Sequence, residues 1–213
     1  MKILKLIHPF LFLIAPFGLV ADESVEPGLS YTLKIGERSY QISENEPFEI
    51  EAVSEKSKAQ LVADSHRIFT YQSIEFEYPA HFVFEADVSD ATSKSWTLSG
   101  NDCTVMILSM AVQMSATEFG AELAEQFGKK NTKISDVELQ LGKTKYNGAL
   151  LETTVAGTRM TMDILTLSAS KGASKLLTIQ DALGEDGKHS EEYEVILEKL
   201  RETFSEKDAG KSK

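Results

Sequence analysis

The sequence predicts an α+β fold in which helices pack on an antiparallel β-sheet, preceded by a small β-rich region. Three patterns predict it. Residues 73–114 alternate apolar and polar side chains through three or four strands and end in the most apolar run after the N-terminus, 103–112. A run that is apolar on both faces belongs in the middle of a sheet covered on both sides. Two other segments, 116–127 and 190–204, repeat their apolar residues at three and four positions, the period of an amphipathic helix. Between them lie alternating runs joined by short turns, the pattern of antiparallel strands.

The first 21 residues carry Lys2 and Lys5, then an apolar run from Leu6 to Val20 without an acidic residue, then Ala21 ahead of Asp22 and Glu23. A basic start, a short apolar middle and a small final residue mark a secretory signal peptide. Pro9, Pro16 and Gly18 interrupt a run already shorter than the ~20 residues of a membrane span. Residues 1–21 are therefore expected to be cleaved, leaving a periplasmic or secreted protein with no membrane insertion. With 33 Asp and Glu against 22 Lys and Arg the net charge is −11, more negative still without Lys2 and Lys5. Such a surface repels phosphate backbones and anionic lipids, so nucleic acid is excluded as a partner. Cys103 is the only cysteine, which rules out an intramolecular disulfide. Within Asp102-Cys103-Thr104-Val105-Met106-Ile107 it reads as a small buried hydrophobe.

Taken in order, residues 22–28 form a polar, flexible lead-in, and residues 29–71 form the small β-rich region. Tyr31, Leu33 and Ile35 alternate with Thr32 and Lys34, Gly36-Glu37 supplies a turn, and Tyr40 and Ile42 complete a hairpin. A turn at Asn45-Glu46-Pro47 leads to a third strand through Phe48, Ile50 and Ala52, with weaker runs at 59–63 and 67–71. Residues 72–204 form the main domain. Ile74, Phe76 and Tyr78 alternate with glutamates until Pro79 removes a ladder donor. Phe82 and Phe84 then share a face, an acidic loop around residues 87–90 precedes Trp96 and Leu98, and Ser99-Gly100-Asn101-Asp102 turns into the apolar run.

Ser115 and Glu118 have capping-box spacing. The helix that follows places Ala116, Phe119, Leu123 and Phe127 on one stripe and stops at Gly128. Strands are expected at 137–141, 149–156, 160–168 and 175–181. A closing helix over 190–204 carries Tyr193, Ile196, Leu197, Leu200 and Phe204 on one stripe, with Glu191 and Glu192 at the positive end of its dipole. Residues 205–213 have no apolar pattern and are expected to be a disordered tail.

Residues 73–204 resemble the PsbP-like superfamily. The likeness rests on Phe76-Glu77-Tyr78-Pro79-Ala80-His81-Phe82, on Trp96 ahead of the apolar strand 104–112, on the helix 116–127, on the hairpin within 150–167 and on the closing 193–204. It implies an αβα sandwich and a non-catalytic role in binding or stabilising a partner, with no particular ligand.

No nucleophile elbow, phosphate-binding glycine loop or zinc helix occurs in the sequence, and nothing in it implies a cofactor. His66, His81 and His189 lack a nucleophile or ligand partner at meaningful spacing and read as edge or solvated histidines. Met106, Met110 and Met114 fall on one strand face and Met160 and Met162 on another. They could hold a soft ion such as Cu(I), but their alternation with Leu108, Val112 and Ile164 is that of core residues. Asp87, Asp90, Asp102, Asp181, Glu185 and Asp186 lie in or near loops without calcium-loop spacing. The expected function is an exported, non-catalytic binding or assembly module whose partner is another exported or envelope protein. The alternatives are a copper- or calcium-binding periplasmic protein and a hydrolase with an unrecognised site. The candidate interaction surface is Pro79, Ala80, His81, Asp87, Asp90 and Lys94.

Overall fold

The computed structural model describes residues 23–44, 47–50, 58–168 and 171–207. The signal-peptide pattern of residues 1–21 and residues 208–213 of the expected tail lie outside them. Among the described residues, β1 (Ser30–Ile35) pairs antiparallel with β2 (Arg38–Ser43) and with β3 (Ala59–Ala63) in a separate three-stranded sheet. The Gly36 φ of 61° makes the β1–β2 turn. Residues 47–50, expected to begin a strand, are irregular, and Ala52 lies outside the described residues.

The body of the protein is a seven-stranded antiparallel sheet. In spatial order it runs β6 (Val83–Asp90), β7 (Ser93–Ser99), β8 (Cys103–Met110), β12 (Ser174–Ala182), β11 (Thr158–Leu167), β10 (Thr144–Val155) and β9 (Lys133–Leu141). Above it lie β4 (His66–Phe69), β5 (Ile74–Pro79) and the two-residue β13 (Ser205–Glu206), which pairs with β5. Ser205 and Glu206 thus belong to a sheet although they open the stretch expected to be a tail. Among the described residues two α-helices accompany these strands, α1 (Ala116–Phe127) and α2 (Glu191–Thr203), with a single 3-10 turn at Lys129–Asn131.

The expected α+β sandwich with helices packed on the sheet, in its PsbP-like αβα form, is therefore corrected: the chain is mostly β. The reason lies in the connections. β6–β7, β7–β8, β9–β10 and β10–β11 are joined by turns of two or three residues, too short to hold a helix. Among the described residues the two α-helices occupy the longer passages, from β8 to β9 and from β12 to β13.

Register defines the two faces. Ala86, Trp96, Ile107, Leu177, Leu165 and Gly148 follow one another across the upper face. There Phe69, Phe76, Tyr78, Trp96, Val105 and Ile179 join Tyr193, Ile196, Leu197 and Leu200 of α2 in one buried cluster. A fully buried side chain of this size contributes ~1.5–3 kcal/mol, so this layer dominates stability. Residues 23–27 strap it down. Trp96 Nε1–H donates to the Glu23 carbonyl at 2.7 Å, and the Tyr71 hydroxyl donates to the Val25 carbonyl.

The lower face carries Leu108, Leu176, Ile164 and Ala149, one step out of phase. Here α1 packs on β9, β10 and β11, with Ala116, Gly120 and Ala124 against the sheet. Small residues at every fourth position let the helix approach closely. A Cβ at Gly120 would stand 3.4 Å from Ile164 Cδ1.

Candidate functional site

The expected interaction residues do not converge. Pro79 is buried at the end of β5, Ala80 is half-buried, and His81 is exposed. His81 Nε2 lies 3.2 Å from Glu192 Oε1, beside a hollow of about 300 Å³ lined by Ser65, His66, Pro79, His81, Glu191, Glu192 and Val195. Asp87 and Asp90 are at the far end of β6. Residues 87–90, expected to be an acidic loop, continue that strand through a register irregularity against β7. Asp87 accepts from the Ser89 hydroxyl and Asp90 from the Thr92 amide and hydroxyl, which holds the Asp90 pKa below its ordinary value. Lys94 points to the upper face and pairs with Glu23 at 2.9 Å.

A second polar cluster, in which burial raises the pKa of Cys103, Asp163 and Tyr193, lies under the start of α2. Asp181, with no exposed surface, accepts from His189 Nδ1 at 2.8 Å and from the Ser190 amide and hydroxyl at 3.2 and 2.6 Å. Ser190 in turn caps α2 by accepting from the Tyr193 amide. On the adjacent strand Asp163 accepts from the Tyr193 hydroxyl at 2.7 Å, and burial raises its pKa. Cys103 faces Asp181 across the β8–β12 ladder, and burial next to these carboxylates pushes its thiol pKa far up. Such a thiol is no nucleophile. The Ser190 hydroxyl is turned to a carboxylate and not to the imidazole, so Ser190, His189 and Asp181 do not make a nucleophilic triad. Their hydrogen bonds fasten a helix to a sheet.

Among the described residues no group of three or more His, Cys, Asp or Glu is placed to hold a metal ion. The methionines converge in another sense. Register puts Met106 and Met110 of β8 and Met160 and Met162 of β11 on the same lower face. Met162 is buried there, whereas Met106, Met110 and Met160 are half-buried.

That difference exposes the main feature of the surface. β8 was expected to be covered on both sides, yet α1 lies over β9–β11, and among the described residues no helix packs on the lower face of β6, β7 and β8. The open area has an apolar ridge of Met106, Leu108 and Met110. Ser93, Ser95, Thr97 and Ser99 of β7 and Thr104 of β8 surround it, and Val83, Glu85 and Asp87 form its outer edge. Along α1 it is bordered by Phe119, Leu123 and Phe127, half-buried against the same lower cluster as Leu108 and Met110. Alternation along β8 was visible in the sequence. That the helix would land four strands away from β7 was not.

At the other end of α1 a trough of about 750 Å³ is lined by Ser115, Thr117, Asp136, Thr144, Lys145, Asn147, Thr166 and Ser168, among others. Its lysine is already paired, with Lys145 on Glu138 at 2.6 Å, and Ser115 is engaged by the Glu118 carboxylate at 2.8 Å. Neither a scan of protein-family models nor a search of curated proteins finds a match to this chain.

Proposed function

We propose that the chain is an exported, non-catalytic binding module that recognises another exported or envelope protein through the open lower face of β6, β7 and β8. One observation carries the reading: an apolar ridge of Met106, Leu108 and Met110 lies half-exposed in the middle of a sheet, bordered by hydroxyl side chains and an acidic edge. A contiguous apolar strip of this kind on a protein surface serves recognition. The buried carboxylates add support, because Asp163 and Asp181 are both occupied by hydrogen bonds that dock α2 and neither lines the hollows at the surface. The pattern of residues 1–21 supports export.

The test compares wild-type protein with a Thr97→Lys/Met106→Lys double variant as baits in a native envelope extract. A partner retained by wild type and depleted at least tenfold by the variant is the expected result. Identical recoveries from both baits, or turnover of a generic ester or phosphoester panel without any retained protein, would overturn the reading.

A further inference from the structure

We infer that the occupant of the open lower face is a single cationic amphipathic helix of the partner; this rests on the binding-module reading above. Size argues first. Strands ~4.8 Å apart make β6, β7 and β8 a floor ~10 Å between its outer strands, the width of one helix at ~10–12 Å. The eight residues of β8 extend ~26 Å, which a helix of about 17 residues spans. A floor of roughly 300–400 Å² is well below the ~800 Å² that each partner buries in a standard interface, so it suits one laid element better than a globular surface. α1 packs chiefly on β10, three strand spacings or ~14 Å from β8, beyond the 8–10 Å at which helices touch. A helix over β7 and β8 therefore docks without displacing α1.

Chemistry selects the kind of helix. Met106, Leu108 and Met110 offer an adaptable apolar ridge for an apolar stripe. On the outer side stand Glu85 and Asp87 of β6. Beyond the other side, the solvent-facing side of α1 carries Glu118, Glu122 and Glu125, with Lys129 drawn onto Glu125. The acidic outer edge and the acidic solvent face of α1 together favour a cationic ligand, with Lys or Arg beside its apolar stripe. They disfavour a second copy of this chain, which brings the same acidic margins at a net charge of −11.

The probe is a synthetic 18-residue Leu/Lys amphipathic helix, with a Leu/Glu counterpart and a scrambled Leu/Lys peptide of equal charge. Titration into the full chain is followed by fluorescence anisotropy and by methionine methyl NMR. The expected result is binding of the Leu/Lys helix with methyl shifts at Met106 and Met110. The Leu/Glu and scrambled peptides should bind at least tenfold more weakly, and Thr97→Lys/Met106→Lys should cost at least tenfold. Ser95→Lys, a single change on the same face, serves the same purpose if the double variant does not fold. Equal binding of the scrambled peptide, or unmoved Met106 and Met110 methyls, would overturn the proposal. Should the envelope capture depend on this face while the Leu/Lys helix fails to bind, the docking surface stands and the cationic helix falls; failure of both removes both.

Discussion

Half-buried Glu192 and buried Asp163 show how two carboxylates near the same helix start respond to opposite balances. Burial pushes the Glu192 pKa up, but hydrogen bonds from the Asp102 amide, the His81 ring and the Cys103 amide outweigh it and hold the group below its ordinary value. A depressed folded-state pKa contributes stability above the unfolded pKa that is lost as pH falls through the folded value. Glu192→Gln should therefore cost about 1–3 kcal/mol at pH 7. Its deficit should shrink below pH ~4, where the wild-type carboxylate also protonates; urea unfolding at the two pH values measures this. Asp163 is the reverse. Its pKa is raised, by burial first, even though the Tyr193 hydroxyl and nearby His189 favour the charged form. The stabilising contribution of such a group is complete below the unfolded pKa and is lost as pH rises through the folded one, so ionised Asp163 is a burden at neutral pH. Asp163→Asn keeps an oxygen for the Tyr193 hydroxyl and removes that burden. A higher Tm at pH 7, by roughly 2–4 °C for each kcal/mol in a chain of this size, is expected, fading towards pH 4. A variant less stable than wild type at pH 7 would show that the charge itself is needed under α2.

Among the elements, the β10–β11 hairpin carries a removable strain. Val155 pairs with Thr158, and the two residues between them, Ala156 and Gly157, both have positive φ, 51° and 91°. That is the turn in which Asn-Gly is favoured, because Asn tolerates the left-handed region better than Ala does. Ala156→Asn should raise stability by about 0.5–1 kcal/mol without a new tertiary contact, read as a shifted urea midpoint at unchanged slope. This hairpin was legible in the sequence, as were the Ser115–Glu118 capping box and the Tyr193-Ile196-Leu197-Leu200 stripe, because each is written in side chains close together along the chain. Residues 87–90 were misread because acidic composition looks like a loop, whereas edge-strand β6 can carry carboxylates facing water. β8 misled in the opposite direction. Its lower face holds methionine and leucine, and apolar identity predicted a cover that the sheet order withholds, since β12 and β11 come between β8 and the strand that carries α1. The clustering of Asp163, Asp181 and Cys103 was equally invisible, being produced by strand register over separations of up to 78 residues (Cys103 to Asp181).

On the scale of the whole molecule, the burial record divides the chain into parts of unequal stability. β12 is buried at seven of its nine positions and β11 at six of ten, whereas every residue of β3 is exposed and only Ile35 of β1 is buried. A three-stranded sheet with so little apolar cover is marginal by itself. Among the described residues its fastenings to the body lie near its ends, where Arg67 of β4 donates to the Pro27 carbonyl at 3.0 Å and pairs with Glu26, while the Thr32–Asp64 bond at 3.2 Å stays within the small sheet. Opening β1–β3 would expose little apolar surface, while freeing β11 or β12 requires the loss of both clusters. Native-state hydrogen exchange should therefore resolve two levels of protection. Amides of β8, β11 and β12 should exchange only through global unfolding, and those of β1, β2 and β3 through an opening at least ~2 kcal/mol less costly, with a smaller denaturant dependence. Equal protection across all six strands would mean that the small sheet is locked to the body and unfolds with it. A lower level confined to β1–β3 would leave the docking face on the most rigid part of the molecule, where β7 and β8 hold Thr97, Met106 and Leu108 in place for a partner with little ordering left to do on binding.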